Sequence, residues 1–192
     1  MKKLLLTAVA VLGFVSLQAQ EVKYGAKAGL NLSNVTGDIE GNSMKVGFQV
    51  GGFAEIKITD KFSFQPELMY SAQGTKFEEE FFGETIEFDM NLGYINVPLM
   101  AKYYFTDKFS LEAGPQLGFL LSAKAKAEGE SEDIKDDFNT LDFGLNIGAG
   151  FDVSENINIG LRYTAGLSNL AKDADGFEVR NSNIALLLAY RF

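Results

Sequence analysis

The 192-residue chain contains no cysteine, no histidine and no tryptophan, and it has only three prolines. Without cysteine and histidine it can form no disulfide, no thiolate or imidazole metal site, and no Ser-His-Asp or Cys-His catalytic centre. We therefore expect neither enzyme activity nor a cofactor. Basic residues are also few, with 17 Lys and Arg against 26 Asp and Glu, and the net charge of −9 argues against a nucleic-acid partner.

The beginning of the chain has the pattern of a secretory signal peptide. Residues 1–3 read Met-Lys-Lys, residues 4–17 are uncharged and mostly apolar, and Ala19 ends a candidate cleavage site. The apolar stretch is shorter than the roughly 20 residues that a membrane-spanning helix needs. We therefore expect an exported protein with a signal peptide at 1–19 and one mature domain at 20–192.

Apolar residues recur at every second position in most of the remaining sequence. Leu141, Phe143, Leu145 and Ile147 illustrate the pattern. Period two over about ten residues predicts a long amphipathic strand, and the pattern occurs in eight segments. These segments lie at about 22–32, 44–58, 62–72, 95–105, 109–121, 141–153, 157–167 and 184–192.

The connections between the predicted strands alternate between short and long. Three-residue turns at 59–61, 106–108 and 154–156 keep the flanking apolar residues on one face, as a hairpin loop of that length requires. This alternation places all long loops at one end of an antiparallel barrel. The long loops are polar and acidic and lie at about 33–43, 76–89, 128–139 and 169–182.

Such a barrel could be soluble or could span a membrane. A soluble barrel of the lipocalin kind turns its apolar face inward, whereas an outer-membrane barrel turns it outward. Long strands, together with aromatic residues beside the turns and chain ends, favour the membrane. Ten residues tilted near 40° climb about 25 Å, the height of the apolar band of such barrels. The sequence thus predicts an all-β, eight-stranded antiparallel up-and-down transmembrane β-barrel with short periplasmic turns, long extracellular loops and both mature termini in the periplasm.

Six short motifs carry a family resemblance along essentially the whole mature chain. They are Gly-Ala-Lys-Ala-Gly-Leu-Asn-Leu-Ser at 25–33, Gln-Pro-Glu-Leu-Met-Tyr-Ser at 65–71, Asn-Val-Pro-Leu-Met-Ala-Lys-Tyr-Tyr at 96–104, Gly-Pro-Gln-Leu-Gly-Phe-Leu-Leu-Ser at 114–122, Asp-Phe-Gly at 142–144 and Arg-Tyr-Thr-Ala-Gly-Leu-Ser at 162–168. In this order they resemble the PorT-like outer-membrane β-barrel proteins of Gram-negative bacteria. The closing Tyr190 and Phe192 resemble the terminal signal that the barrel-insertion machinery reads. The resemblance implies an outer-membrane barrel, and the family name is tied to a protein secretion system.

Charged residues alternate with the outward apolar ones and are therefore predicted to face the interior. Eight strands leave an interior just wide enough for side chains to fill. Opposite charges are expected to pair there, because an unpaired buried charge is costly. The inward set is Lys23, Lys27, Lys45, Lys57, Lys102, Lys124, Arg162 and Arg191 with Glu55, Glu67, Glu112, Asp142 and Asp152. Nine of these form the predicted lumen network, namely Lys45, Glu55, Lys57, Glu67, Lys102, Glu112, Asp142, Asp152 and Arg162.

One pair in this set can be placed in register. Phe105 and Phe109 flank the turn 106–108 on the outer face, so Lys102 and Glu112, each three residues further from the turn, should oppose one another. We expect these two side chains to form a salt bridge inside the barrel.

Irregularities are also expected in the middle strands. Pro66, Pro98 and Pro115 fall inside predicted strands, where a proline removes a ladder hydrogen bond. Local bulges would accommodate them, and a change of alternation ahead of Ile95 predicts another bulge near Gly93.

The loops carry the acidity. The loops 76–89 and 128–139 each hold six carboxylates and one lysine. Phe81 and Phe82 lie inside the first of them and are candidate contacts for a partner or for lipid. We expect a monomeric, non-enzymatic barrel, surrounded by outer-membrane lipid and lipopolysaccharide, that acts through its loops in surface interaction, adhesion or envelope integrity. The alternatives are a narrow solute or ion pore, an accessory factor of a secretion system, and a soluble lipid-binding barrel.

Overall fold

A computed structural model describes residues 21–81, 84–127, 130–172 and 176–192. The signal peptide predicted at 1–19 lies outside these residues. Within the described ranges, no helix has both the length and the apolar character needed to cross a membrane.

The described residues form nine strands and one short 3-10 helix at Lys135–Asp137. Period-two alternation accounts for the strands, because it gives each one an apolar and a polar face. The strands are β1 (Val22–Gly37), β2 (Asn42–Lys57), β3 (Phe62–Phe81), β4 (Glu84–Tyr104), β5 (Phe109–Ala127), β6 (Glu130–Asp133), β7 (Leu141–Asp152), β8 (Ile157–Gly166) and β9 (Val179–Arg191).

Eight of these strands close into an antiparallel barrel. The order around the barrel is β1-β2-β3-β4-β5-β7-β8-β9, and β9 pairs back onto β1 with Gly25 opposite Arg191. The short β6 pairs with the end of β5 above the barrel. The eight-stranded antiparallel barrel that the sequence predicts is confirmed.

The wall of the barrel is apolar outside and polar inside. Ile147 and Leu161, for example, are more than half exposed, whereas Asn31 and Asn146 are fully buried. This polarity is the one expected of a barrel that faces lipid, and it is the reverse of a soluble lipid-binding barrel.

The three short turns are confirmed. They span 58–62, 105–109 and 153–157, and in each the N–H of the first residue donates to the carbonyl of the last at 2.9 Å. These hydrogen bonds close the three-residue loops and fix the register of the strands on either side.

The long connections are less loop-like than the sequence predicts. Segment 33–43 is mostly strand, because β1 and β2 leave only four residues between them. Within 76–89, β3 and β4 stay paired as far as Phe81 opposite Glu84, and 128–139 contains β6 and the 3-10 helix. The prediction was wrong here because a charge-rich sequence was taken to mark a loop, whereas the backbone hydrogen bonds of the hairpins continue through it.

The bulges predicted at the prolines are absent from the described strands. Register is the same on both sides of Pro66, Pro98 and Pro115, and the ladders only omit some pairs beside them. The missing N–H groups are thus tolerated without an inserted residue. In the β2–β3 ladder the register shifts elsewhere, between Met44 and Gln49.

The bulge predicted near Gly93 is confirmed in the β4–β5 ladder. Gly93 pairs with Ser122, whereas the next residue, Tyr94, pairs with Leu120. Leu121 of β5 is therefore the inserted residue, and the alternation of β5 reverses after it.

Candidate functional site

The centre of the barrel holds four buried charged side chains, Lys27, Glu67, Glu112 and Arg162, which we call the central cluster. Arg162 donates from Nη1 and Nη2 to the two carboxylate oxygens of Glu67, at 2.8 Å each, and from Nε to Glu112 Oε1 at 2.7 Å. Lys27 Nζ donates to Glu67 Oε1 at 2.6 Å. Two positive charges thus face two negative ones, and the planar guanidinium matches the carboxylate of Glu67 bidentately.

A glycine makes room for this arrangement. Gly148 of β7 lies between Glu112 of β5 and Arg162 of β8 in the strand register. A Cβ at Gly148 would lie 3.0 Å from Glu112 Oε1 and 2.7 Å from the backbone oxygen of Leu161. Only the bare glycine leaves this space free for the Glu112 carboxylate to reach the guanidinium.

A second group, the turn-end cluster, lies towards the short turns and consists of Glu55, Lys102, Tyr104, Asp152 and Arg191. Arg191 donates from Nε to Glu55 Oε2 at 3.1 Å and from Nη2 to Asp152 Oδ1 at 2.8 Å. The Tyr104 hydroxyl donates to Glu55, and Lys102 Nζ lies 3.6 Å from Glu55 Oε2. This cluster also balances two positive with two negative charges, so the paired lumen is neutral.

The register predicted for Lys102 and Glu112 is confirmed, but the salt bridge is not formed. The two residues oppose each other in the β4–β5 ladder. Lys102 Nζ instead donates to Gln65 Oε1 at 3.3 Å and approaches Glu55, while Glu112 accepts from Arg162. Glu112 pairs with Arg162 rather than with its register neighbour Lys102, because the guanidinium of Arg162 offers several directed donors.

Five charged residues of the predicted inward set lie away from both clusters, namely Asp142, which is described below, and Lys23, Lys45, Lys57 and Lys124. Lys23 is exposed, with Nζ 3.2 Å from Glu21 Oε1. Lys57 is half-exposed at the turn-end rim, with Nζ 3.4 Å from Asp60 Oδ1. Lys45 reaches the loop end, where Nζ lies 2.7 Å from Asp89 Oδ2. Lys124 is exposed on the outer wall, because the bulge in β5 reverses the alternation. The inward placement predicted for Lys124 was wrong for that reason.

Uncharged polar side chains form a belt beyond the central cluster. Asn31 Nδ2 donates to Ser71 Oγ at 3.0 Å, and Thr164 Oγ1 donates to Asn146 Oδ1 at 2.6 Å. This belt was not predicted from the sequence, because the predicted lumen network contained only charged residues. The same period-two alternation, applied to Asn, Ser and Thr, would have found it.

An apolar cluster fills the loop end of the interior. This cluster was not predicted, because only charged side chains were expected inside the barrel. Partly buried Ile39, Ile134 and Phe138 from the loops pack against it. Its buried members are Val35, Leu92, Tyr94, Leu120, Ala123, Leu170 and Val179.

Asp142 lies beside this apolar cluster rather than in either ion-paired cluster. Its carboxylate accepts from Asn181 Nδ2 and from Ser168 Oγ, at 2.6 Å each. The same Asn181 nitrogen lies 3.2 Å from the Tyr94 hydroxyl. Among the described residues no basic side chain forms a salt bridge with Asp142, so hydrogen bonds alone hold its carboxylate.

The turn end of the barrel contains free space. A vestibule of about 270 Å³ opens there and ends on Glu55 and Arg191. The next void, beside Lys27 and Lys102, measures only about 10 Å³ and has room for roughly one water molecule. Within the described residues, the two ion-paired clusters and the apolar cluster therefore block the lumen one after another along its axis.

The remaining predicted site residues lie at the two ends of the barrel. Phe82 and the side chain of Phe81 lie outside the described residues. The rings of Tyr190 and Phe192 are 5.8 Å apart, and the Phe192 N–H donates to the Tyr24 carbonyl at 2.9 Å. The C-terminus is thereby tied to β1, and its use as an insertion signal stays a prediction. The described residues contain no group of three Asp or Glu side chains placed to hold a metal ion.

Comparison with known proteins agrees with this architecture. A family model described as an outer membrane protein beta-barrel domain matches residues 18–172. The chain belongs to the outer membrane protein β-barrel domain family. It is therefore an outer-membrane barrel, whose polar lumen and apolar wall suit that location. No curated protein matches the sequence.

Solved structures give the same fold. Neisserial surface protein A superposes with a TM-score of 0.62 at 14% identity, over 90% of this chain and 99% of that one. Ail of Yersinia pestis, the attachment invasion locus protein, in complex with the heparin analogue sucrose octasulfate, has a TM-score of 0.54 at 20% identity, again over 90% and 99%. At these identities the likeness establishes the fold of this barrel and not its partner.

Proposed function

We propose that this protein is a non-enzymatic outer-membrane barrel that acts through its loop-end surface, in surface interaction, adhesion or envelope integrity. The observation that carries the proposal is the filled lumen. The central and turn-end clusters pair their charges across the barrel, and the apolar cluster fills its loop end. The described part of the interior leaves no open path for a solute, and we therefore assign the function to the surface at the loop end. A narrow pore is the competing function.

The charge of the loop end indicates the kind of partner. Glu130, Glu132 and Asp133 of β6 are exposed, and so are Asp136 and Asp137 of the 3-10 helix. Such a surface favours a cationic partner. Ail was solved with a sulfated, anionic heparin analogue, and the acidic loops of this barrel argue against a ligand of that charge.

Our proposal also includes the orientation of the barrel in the membrane and its kinship with PorT-like barrels. We place the short turns and both mature termini in the periplasm and the long connections outside, as in other outer-membrane barrels. The kinship with PorT-like barrels rests on the six sequence motifs, and a secretion-accessory role would follow from that kinship alone.

Neutralising the acids of β6 should weaken binding to a cationic surface. The variant changes Glu130→Gln, Glu132→Gln and Asp133→Asn, all of which are exposed, so folding should be unaffected. We expect cells that carry this variant to capture severalfold fewer polylysine-coated beads than cells with the unchanged protein, because three loop charges are lost. Bead capture counted by flow cytometry measures the effect.

The matched control removes three exposed acids from the short turns, as Asp60→Asn, Asp107→Asn and Glu155→Gln. These turns should face the periplasm, so this variant should capture beads as the unchanged protein does. Equal capture by the β6 variant and the unchanged protein would contradict the role of the loops. A loss in the turn variant as large as in the β6 variant would contradict the orientation.

A further inference from the structure

Two hydroxyl groups converge on a bare glycine on the outer wall of the barrel. Gly93 of β4 lies between Ala72 of β3 and Ser122 of β5. A Cβ at Gly93 would lie 2.7 Å from Ser122 Oγ and 3.4 Å from the Tyr70 hydroxyl. Neither hydroxyl makes a hydrogen bond to another described residue. The Tyr70 ring lies against the buried Gly93, and the two hydroxyls beside the glycine lack a partner within the described protein. We call this place the notch.

Lys124 adds a positive charge next to this notch. It opposes Asn91 in the ladder, one outward row beyond Gly93 and Ser122, at a distance of about 7 Å along the strand. Its side chain is exposed on the outer wall as a consequence of the β5 bulge. A lysine side chain is long and adaptable enough to direct its ammonium towards the notch.

The described acids near Lys124 do not form a salt bridge with it. Asp133 opposes Lys124 across β6, and its Oδ1 accepts from the Lys135 N–H at 3.0 Å. Within the described ranges no carboxylate forms a salt bridge with Lys124. Asp89 in the next row lies between Lys76 and Lys126 in the ladders, and its carboxylate is held by Lys45.

The notch marks the loop-side edge of the apolar band. Below it the outer wall carries aromatic and aliphatic side chains, among them Phe48, whose ring lies 5.9 Å from that of Tyr70. Above it on β4 and β5 the outward residues are Asn91 and Lys124. Tyrosine is typical of the boundary between the hydrocarbon and the headgroups of a membrane, because its ring is apolar and its hydroxyl is polar.

We propose that Tyr70, Ser122 and Lys124 form a binding site for a phosphate group of the surrounding lipopolysaccharide. The three groups are donors, a phosphate offers only acceptor oxygens, and the ammonium supplies the opposite charge. The chain has a net charge of −9, whereas this site is basic, and a basic site favours an anionic ligand. Lys124 adjoins Asp133 of the acidic surface, but the proposed ligand is a lipid of the surrounding membrane, so the site does not rest on the function proposed above.

Native mass spectrometry of the purified full-length mature barrel in detergent tests this site. The lipid probes are bisphosphorylated lipid A, the same lipid A with its phosphates removed, and phosphatidylglycerol. We expect lipid A to bind about tenfold more tightly than its dephosphorylated form, and the Lys124→Gln variant to lose about tenfold in affinity for lipid A. The Tyr70→Phe variant, which removes a single hydroxyl, should lose a few-fold.

The matched control is Lys61→Gln, which removes the same charge from an exposed position at the turn end. It should bind lipid A as the unchanged barrel does, and all variants should show the same gel mobility shift on heating. Equal binding of the two forms of lipid A, or equal losses in the Lys124→Gln and Lys61→Gln variants, would overturn the site. Binding of phosphatidylglycerol as tight as that of lipid A would overturn lipopolysaccharide as the ligand.

Discussion

Replacing Arg162 by methionine should lower the free energy of unfolding by about 3–5 kcal/mol, the usual cost of leaving buried charges without their partner. The side chain is buried and pairs with both Glu67 and Glu112. Methionine fills similar space but leaves Glu112 without a cation and Glu67 with Lys27 alone. The chain holds no tryptophan, so urea unfolding in lipid vesicles is best followed by far-UV circular dichroism.

Two further variants separate charge from packing. Lys57→Met removes a positive charge that is half-exposed and only 3.4 Å from Asp60, so it should cost less than about 1 kcal/mol. The double variant Glu112→Gln with Arg162→Met restores neutrality and keeps the Lys27–Glu67 pair, so it should recover much of the loss. If the double variant were destabilised by the sum of its single changes, the paired cluster would not be what stabilises the lumen.

Replacing Leu120 by alanine should lower the free energy of unfolding by about 2–5 kcal/mol, the range measured for truncating a buried leucine. Leu120 is 2% exposed and belongs to the apolar cluster at the loop end. Truncation is expected to leave a cavity, because the surrounding cluster is built mainly from β1, β4, β5 and β9, whose ladders fix the positions of its side chains. The same urea titration in vesicles measures the change.

The adjacent leucine is a matched control. Leu121 is 49% exposed on the outer wall, where lipid fills any space that a smaller side chain leaves. Leu121→Ala should therefore cost only about 1 kcal/mol, from lost apolar area without a cavity. Equal losses from the two neighbouring leucines would contradict the assignment of Leu120 to a packed interior.

The sequence predicts the barrel because one rule of period two governs nearly every strand. The same rule, extended across the turn at 105–109, puts Lys102 opposite Glu112. Register along a hairpin is a local property, since it depends only on the turn and on alternation. Such features could be predicted without knowing how the barrel closes.

The pairing of charges across the lumen could not be predicted in this way. Arg162 and Glu67 are 95 residues apart in sequence, and they meet because β3 and β8 face each other across the barrel. Alternation assigns a side chain to the inside but gives no angle around the axis. A single inserted residue, Leu121, also reverses every later assignment in β5, as the outward position of Lys124 illustrates.

The interior of the barrel and its loops differ in charge balance. The two ion-paired clusters of the interior hold four basic and four acidic side chains and are neutral, whereas the described loops are acidic. A selective pore would instead present a ring of one sign to passing ions. In our proposal the neutral clusters stabilise the barrel, and the charged surface at the loop end meets a partner.

Single-channel recording in a planar bilayer tests the closed lumen most directly. Eight-stranded barrels have an interior that side chains can fill, and here two ion-paired clusters and an apolar cluster occupy it. We expect the purified, folded protein to show no stable conductance steps. Reproducible steps that change in size or vanish when Lys102 or Arg162 is replaced would contradict the closed lumen and establish the pore instead.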